Sequence, residues 1–303
     1  MIDIGILGLD TSHAETFAPI LEGIEIGEDG ESATVAAVYD DEGVRSEDYV
    51  QSFCVEWAAT RYDDPEAMVA EVDAAMVLAV DWQRHLELAR PFLAAGVPTL
   101  IDKPVVGSAA DLRDLADLAA SGTLVGGSSV PYHPAFERLR RPDGNRTLHV
   151  VGYNDFYYYR VHALDTLRRL AGAEWRRVEP VPDTDASVVT VTFEDGSWGT
   201  VRLDGPTEPA AFGAMAASDR VDSATVDATE ETLQEMYRPF LRAFLEAVLG
   251  DTDPTKRVLS AARLGLAAER ALAEERAIAR GRSALRGFAV PSEEFVAEYE
   301  PYY

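Results

Sequence analysis

The first twenty residues, MIDIGILGLDTSHAETFAPI, do most to restrict the fold. The apolar run from Ile2 to Leu7 is what a strand shows when both of its faces are buried. Gly8 follows the run, and from His13 to Leu21 the apolar residues fall at helical spacing. A strand that feeds a helix through a glycine turn is the opening of a doubly wound parallel sheet. In such sheets the turn holds the diphosphate of a dinucleotide, with glycines spaced G-x-G-x-x-G. Counted from Gly8, the second and third glycine positions hold Asp10 and His13.

The alternation continues downstream. Apolar runs at Thr34–Tyr39, Ala74–Val80, Thr99–Ile101 and Thr123–Gly126 alternate with helical patterns at Pro65–Ala70, Arg84–Ala95 and Ala109–Ala120. The pattern changes after GGSSVPYHPAFERL. Leu148–Val151, Phe212–Ala217 and Ala224–Val226 read as strands, and Ser187–Phe193 and Trp198–Leu203 as a hairpin across the turn EDGS. Helices are expected at Arg160–Leu170, Glu230–Leu249 and Thr255–Ala279. The expected fold class is α/β. An N-terminal Rossmann-like doubly wound parallel sheet occupies residues 1–126. A C-terminal α+β domain with an open, mostly antiparallel sheet occupies residues 127–303.

Charge restricts the partners. Acidic residues number 53 against 27 basic ones, for a net charge of -26, so nucleic acid and anionic membrane surfaces are poor partners. Lys103 and Lys256 are the only lysines. An acidic, lysine-poor chain that is still 47% hydrophobic has the composition of a halophilic protein. Molar salt cuts the Debye length to ~3 Å and screens its self-repulsion. No apolar run approaches the ~18–20 residues of a membrane span, and no basic leader precedes the first strand. With Cys54 as the single cysteine, a reducing cytoplasm is the expected location.

Four stretches carry candidate chemistry, and each has a plainer reading. In the first loop, Gly8 suits the tight turn. Asp10 and the S-x-x-E stretch Ser12 to Glu15 could simply cap the helix, or Thr11, Ser12 and His13 could donate to phosphate in place of glycine N–H groups. Asp40, in VYDDEG, ends the second strand; it is either a turn residue or the carboxylate that holds the ribose of NAD and repels the extra phosphate of NADP. Asp102-Lys103-Pro104 follows a buried strand at its carboxyl end, where open α/β sheets place ligands. A lysine there can exchange a proton once its pKa is lowered, or it is a surface lysine before a proline turn. In NDFYYYRVHALDTLRRLAG, His162 and Asp165 share a helix face, so the carboxylate could orient the imidazole. The plainer reading is a capped helix beside packed Tyr157, Tyr158 and Tyr159. No metal-ligand set is read from the chain.

In their order, these pieces resemble the glucose–fructose oxidoreductase/inositol dehydrogenase (Gfo/Idh/MocA) family. Its pattern runs from a glycine turn through TPNxxH, (E/D)KP and DxGxHxxD to an open sheet and two terminal helices. The resemblance implies that Lys103 is the catalytic lysine, His162 the catalytic histidine, Asp165 the acid after it and His85 the histidine of TPNxxH. It places cofactor contacts at Gly8, Leu9, Asp10, Thr11, Ser12, His13, Asp40, Val80, Asp81, His85, Asp102 and Lys103. The chain departs from the pattern at Asp10 and His13, at Val80-Asp81-Trp82 in place of TPN, and at Tyr158 where the family has an aspartate. A tyrosine can serve there as a hydroxyl acid–base group. The implied activity is NAD(P)-dependent hydride transfer between nicotinamide and a hydroxyl or carbonyl carbon of a sugar, polyol or related small molecule, with Asp40 favouring NAD over NADP. A homo-oligomer formed through the open sheet is also implied. Two other readings stay open: a non-catalytic ligand-binding or regulatory member, and a redox-neutral lyase or glycosidase that uses NAD transiently.

Overall fold

The computed structural model describes residues 1–27, 30–41, 44–140 and 146–300. The first sheet is built from β1 (Ile2–Leu7), β2 (Ala33–Tyr39), β3 (Thr60–Tyr62), β4 (Ala74–Val77), β5 (Thr99–Ile101) and β6 (Leu124–Gly126). All pairings are parallel, in the order β3-β2-β1-β4-β5-β6. β2 and β3 lie on one side of β1 and β4 to β6 on the other, so a crevice opens at the carboxyl ends of β1 and β4, where the strand order reverses. The connecting helices are α1 (His13–Glu22), α2 (Glu47–Glu56), α3 (His85–Ala94) and α4 (Ala109–Leu118).

β4 is three residues shorter than its apolar run. Beyond Val77 the backbone turns to side chains of the first loop: the Leu78 carbonyl accepts from Thr11 Oγ1, and the Val80 N–H donates to Asp10. Pro65–Met68 is a 3-10 turn rather than an α-helix. Neither α2 nor β3 stands out in the sequence: α2 buries only Val50, Phe53 and Cys54, and β3 is three residues with none buried.

After the short helix α5 (Pro134–Glu137) come β7 (Thr147–Tyr153), α6 (Tyr157–Ala171), β8 (Trp175–Pro180), β9 (Val188–Phe193), β10 (Trp198–Gly205), β11 (Ala211–Ala217) and β12 (Val221–Asp227). The chain closes with α7 (Glu230–Val248), α8 (Thr255–Ala273), β13 (Ile278–Ala279) and α9 (Glu293–Glu298). The second sheet runs β12-β11-β7-β10-β9-β8-β13 and is antiparallel except for the β7–β10 pair. Alternate residues of β7, β10 and β11 are buried under α6, while the other face carries His149, Val151 and Trp198. Helix α8 ends six residues before Ala279, because Glu275 takes φ +48° and Ile278–Ala279 pairs with β8.

The two sheets share a continuous core. Helix α7 lies on α1, where Phe17, Tyr237, Phe240 and Tyr132 form an aromatic cluster, and α8 packs on α4 and β6. Among the described residues, no helix is long and apolar enough to cross a membrane.

Candidate active site

The loop after β1 is built inward. Gly8 has φ +86°, and a Cβ there would stand 2.7 Å from the Ala79 backbone, so the first glycine is sterically required. Its N–H donates to the Tyr39 carbonyl at 2.8 Å, and the Leu9 N–H donates to the Asp40 carboxylate at 2.7 Å. Asp10 is fully buried and accepts from the Val80 N–H at 2.9 Å. Its carboxylate therefore serves the end of β4 instead of standing at the mouth of α1. Thr11 is also turned inward. Ser12 is the N-cap residue of α1, but its hydroxyl makes no capping bond, so the expected box with Glu15 does not form.

His13 reaches across the strand ends. Its Nδ1 lies 2.8 Å from an Asp102 oxygen, its ring stacks on Phe17 at 4.6 Å, and its Nε2 is 3.4 Å from the Tyr237 hydroxyl. The third glycine position thus holds a buried tie between α1, the end of β5 and α7. Asp40 is only half-buried; burial pushes its carboxyl up against the opposing pull of the Leu9 N–H. Asp41 is held by both terminal nitrogens of Arg84, which keep it below its ordinary value.

The segment matching TPNxxH is a scaffold. Asp81 accepts from the Gln83 N–H at 2.9 Å and from the Ser292 hydroxyl at 2.5 Å. Trp82 is buried, and its indole N–H donates to the Val290 carbonyl at 2.9 Å. His85 is fully buried, with Nδ1 2.9 Å from the Pro104 carbonyl and Nε2 2.8 Å from the Ala79 carbonyl. It braces the loop after β4 against the loop after β5.

Lys103 follows β5 and is 5% exposed. Its Nζ lies 2.9 Å from the centre of the Tyr158 ring and 5.8 Å from that of Tyr159. Burial brings its ammonium down to about 7, against the pull of neighbouring Asp102. Burial would raise Asp102, but His13 and Lys103 outweigh it and hold the carboxyl at about 2. His162 is also buried, and its Nδ1 is 2.7 Å from the Ser128 hydroxyl, which in turn accepts from the Val130 N–H. Burial first, and then the charge of Lys103, push the imidazole well below its ordinary pKa.

Asp165 does not hold His162. It accepts from Arg168 Nε at 2.9 Å and lies 3.7 Å from Arg257. A permanently charged guanidinium one turn further along the helix outcompetes a neutral imidazole for the carboxylate. Ser128 is the partner the structure gives to the His162 ring.

A cavity of about 980 Å³ opens between α1, α6, α7 and the end of the second sheet. Ser12, His13, Lys103, Tyr158, His162 and Tyr237 share its wall. Gly8, Leu9, Asp10, Thr11, Asp40, Val80, Asp81, His85, Asp102 and Asp165 are not among its lining residues. The signal for Ser128 in the sequence is its place in GGSSV, which follows a buried strand at its ligand-bearing end. Tyr237 and Phe295, which backs Tyr158, carry no local signal.

Residues 2–125 match the family model described as an oxidoreductase family with an NAD-binding Rossmann fold, GFO_IDH_MocA. The match covers the first sheet and its helices and is a likeness to the NAD-binding domain of that family. Among curated proteins, none matches it in sequence. Solved structures share the fold over nearly the whole chain. A probable dehydrogenase from Thermotoga maritima aligns with a TM-score of 0.75 at 19% identity, covering 92% of this chain and 99% of that one. A putative myo-inositol dehydrogenase from Sinorhizobium meliloti 1021 gives 0.74 at 16% identity, with 93% and 100% covered. Myo-inositol dehydrogenase from Lactobacillus casei, in complex with NAD(H) and myo-inositol, gives 0.72 at 13% identity, with 92% and 96% covered.

Proposed function

We propose that this protein is an NAD-dependent dehydrogenase acting on a hydroxyl or carbonyl carbon of a sugar, polyol or related small molecule. The observation that carries the reading is Lys103: buried at the end of β5, lowered to about 7, and in the wall of a cavity shared with His162. A group with that pKa can take and return a proton near neutral pH, which is what a hydroxyl–carbonyl interconversion needs. His162, pushed well below its ordinary value, stays neutral and offers a hydrogen bond to the same substrate oxygen. Tyr158 supplies the face on which the ammonium rests.

The loop fits a dinucleotide better than its letters suggest. Gly8 keeps the tight turn, Asp10 is turned away, and Ser12 opens the N-terminus of α1 to the cavity. Ser12 and the first turn of α1 would hold the diphosphate, and Asp40 the ribose, with Asp40 and Asp41 together favouring NAD over NADP. When bound, the nicotinamide supplies the hydride acceptor or donor. The presence of myo-inositol in the Lactobacillus casei complex supports the polyol class.

The same proposal sets the domain boundary after Gly126, gives Asp165 a supporting role through Arg168, and assigns oligomer contacts to the open sheet face around Val151 and Trp198. A halophilic, cytoplasmic protein follows from the net charge of -26 and the lone cysteine. A melting temperature unchanged between millimolar and molar salt contradicts the halophilic part. The function is tested by following nicotinamide absorbance with a panel of polyols and sugars in high salt, alongside calorimetric titration of NAD. Expected are NAD binding and net reduction with at least one member of the panel. Absence of NAD binding at millimolar cofactor overturns the proposal.

A further inference from the structure

We infer that Phe295, in the segment after the last long helix, is a positioning residue for Lys103 that acts through the ring of Tyr158. Phe295 stacks on Tyr158 with centroids 4.5 Å apart and planes 25° from parallel. The Lys103 Nζ stands 2.9 Å from the same ring centre. Ammonium and phenyl ring cannot share one face at those separations, so the Tyr158 ring is held between them.

The segment that carries Phe295 is fastened to the two loops that flank the lysine. Val290 N–H donates to the Gly107 carbonyl at 2.8 Å, and Ala109 N–H donates to the Phe288 carbonyl at 3.0 Å. Both bonds grip the chain just after Asp102-Lys103-Pro104. On the other side, Trp82 donates to Val290 and Ser292 donates to Asp81, both in the loop after β4. Gly107 has no room for a side chain, since a Cβ would stand 2.3 Å from the Trp82 ring. Phe295 itself is 7% exposed and also packs on Trp82 and Phe156 at 5.6 and 5.4 Å. Residues far apart in sequence thus press one aromatic ring against one ammonium.

The chemistry explains why a backing is needed. An aromatic face attracts a cation less strongly than a carboxylate does, so the ring holds the ammonium in place without offsetting its loss of water. Phe295 keeps Tyr158 from tilting, so that the ring's cover over the ammonium admits no water. Lys103 then remains desolvated, and its proton affinity remains low. Without Phe295 the ring is free to tilt, water reaches the ammonium, and Lys103 returns toward ordinary lysine behaviour. The inference rests on the proposed acid–base role of Lys103 and adds the group that tunes it.

The scarcity of lysine makes a direct test possible. Protein labelled with 13C-lysine gives signals from Lys103 and Lys256 alone, and their Cε shifts can be followed against pH in the intact chain. Lys256, at the start of α8 and outside the cavity wall, is the internal control. In Phe295→Ala the Lys103 midpoint should move up by about one pH unit or more, with Lys256 unchanged. Phe295→Leu keeps apolar bulk and guards against loss of folding; it should shift Lys103 in the same direction by less. The pH midpoint of turnover should follow the NMR midpoint in both variants. A Lys103 titration in Phe295→Leu and Phe295→Ala that overlays the wild type overturns the inference. Wild-type protein with no nicotinamide turnover sinks the dehydrogenase reading instead, and the NMR titration still decides the role of Phe295.

Discussion

The glycine loop and the lysine corner lie at the ends of β1 and β5, on either side of β4, and both depart from the Gfo/Idh/MocA pattern, in opposite ways. In the loop, the exchanged residues are turned from the cavity mouth into the protein: Asp10 completes the end of β4, and His13 is tied to Asp102. In the corner, the exchanged residues build the site: Tyr158 lies under the Lys103 ammonium, and Trp82 anchors the segment that backs it. A substitution in a motif therefore has no fixed meaning. Asp10 and His13 act as internal struts, whereas Tyr158 changes the medium around Lys103. The first kind should matter for stability and the second for chemistry.

The largest effect should come from the corner. Lys103→Met is expected to lower turnover by ~10²–10⁴-fold with NAD affinity little changed, because the proposed function assigns the lysine the proton and not the diphosphate. A fall of tenfold or less would move the acid–base role elsewhere. His162→Ala should follow with a smaller loss in turnover, since the ring offers a hydrogen bond and stays neutral; a loss matching that of Lys103→Met would make it a second proton carrier.

The loop should answer in stability. Asp10→Ala leaves the buried Val80 N–H without its acceptor, at a cost of about 1–3 kcal/mol in denaturant unfolding. NAD binding should hold. A marked gain in NAD affinity from this variant would mean that the carboxylate does face the cofactor. His13→Gly restores a glycine to the third position of the fingerprint. It should tighten NAD by up to about tenfold while destabilising the fold, since the tie to Asp102 and the stacking on Phe17 are lost. Weaker NAD binding would instead make the imidazole a ligand of the diphosphate.

What was legible in the sequence follows the range of the forces involved. The parallel strands show as apolar runs because burial on both faces is a local demand, and the EDGS hairpin shows through its turn residues. The sequence also pointed to Lys103 and His162, which line one cavity. The partner of Asp165 was not legible, because His162 and Arg168 stand three residues to either side and spacing alone treats them alike. Charge decides between them, and only the packed structure shows the guanidinium turned inward. The inward turn of Asp10 depends on where β4 stops, seventy residues away in the chain. Phe295 and Tyr237 reach the site through the packing of the last helices, for which no local pattern exists.

The central claim is that Lys103 exchanges the substrate proton and is tuned to do so near neutral pH. The pH dependence of turnover, measured in both directions, tests it most directly. In hydroxyl oxidation the lysine must start neutral, so the rate should rise through about 7 and level off above it. In carbonyl reduction it must start protonated, so the rate should fall as pH rises through the same midpoint. Lys103→Met should lose that midpoint in both directions. A midpoint near the ordinary lysine value of ~10.4, or one near 7 that persists in Lys103→Met, would contradict the account.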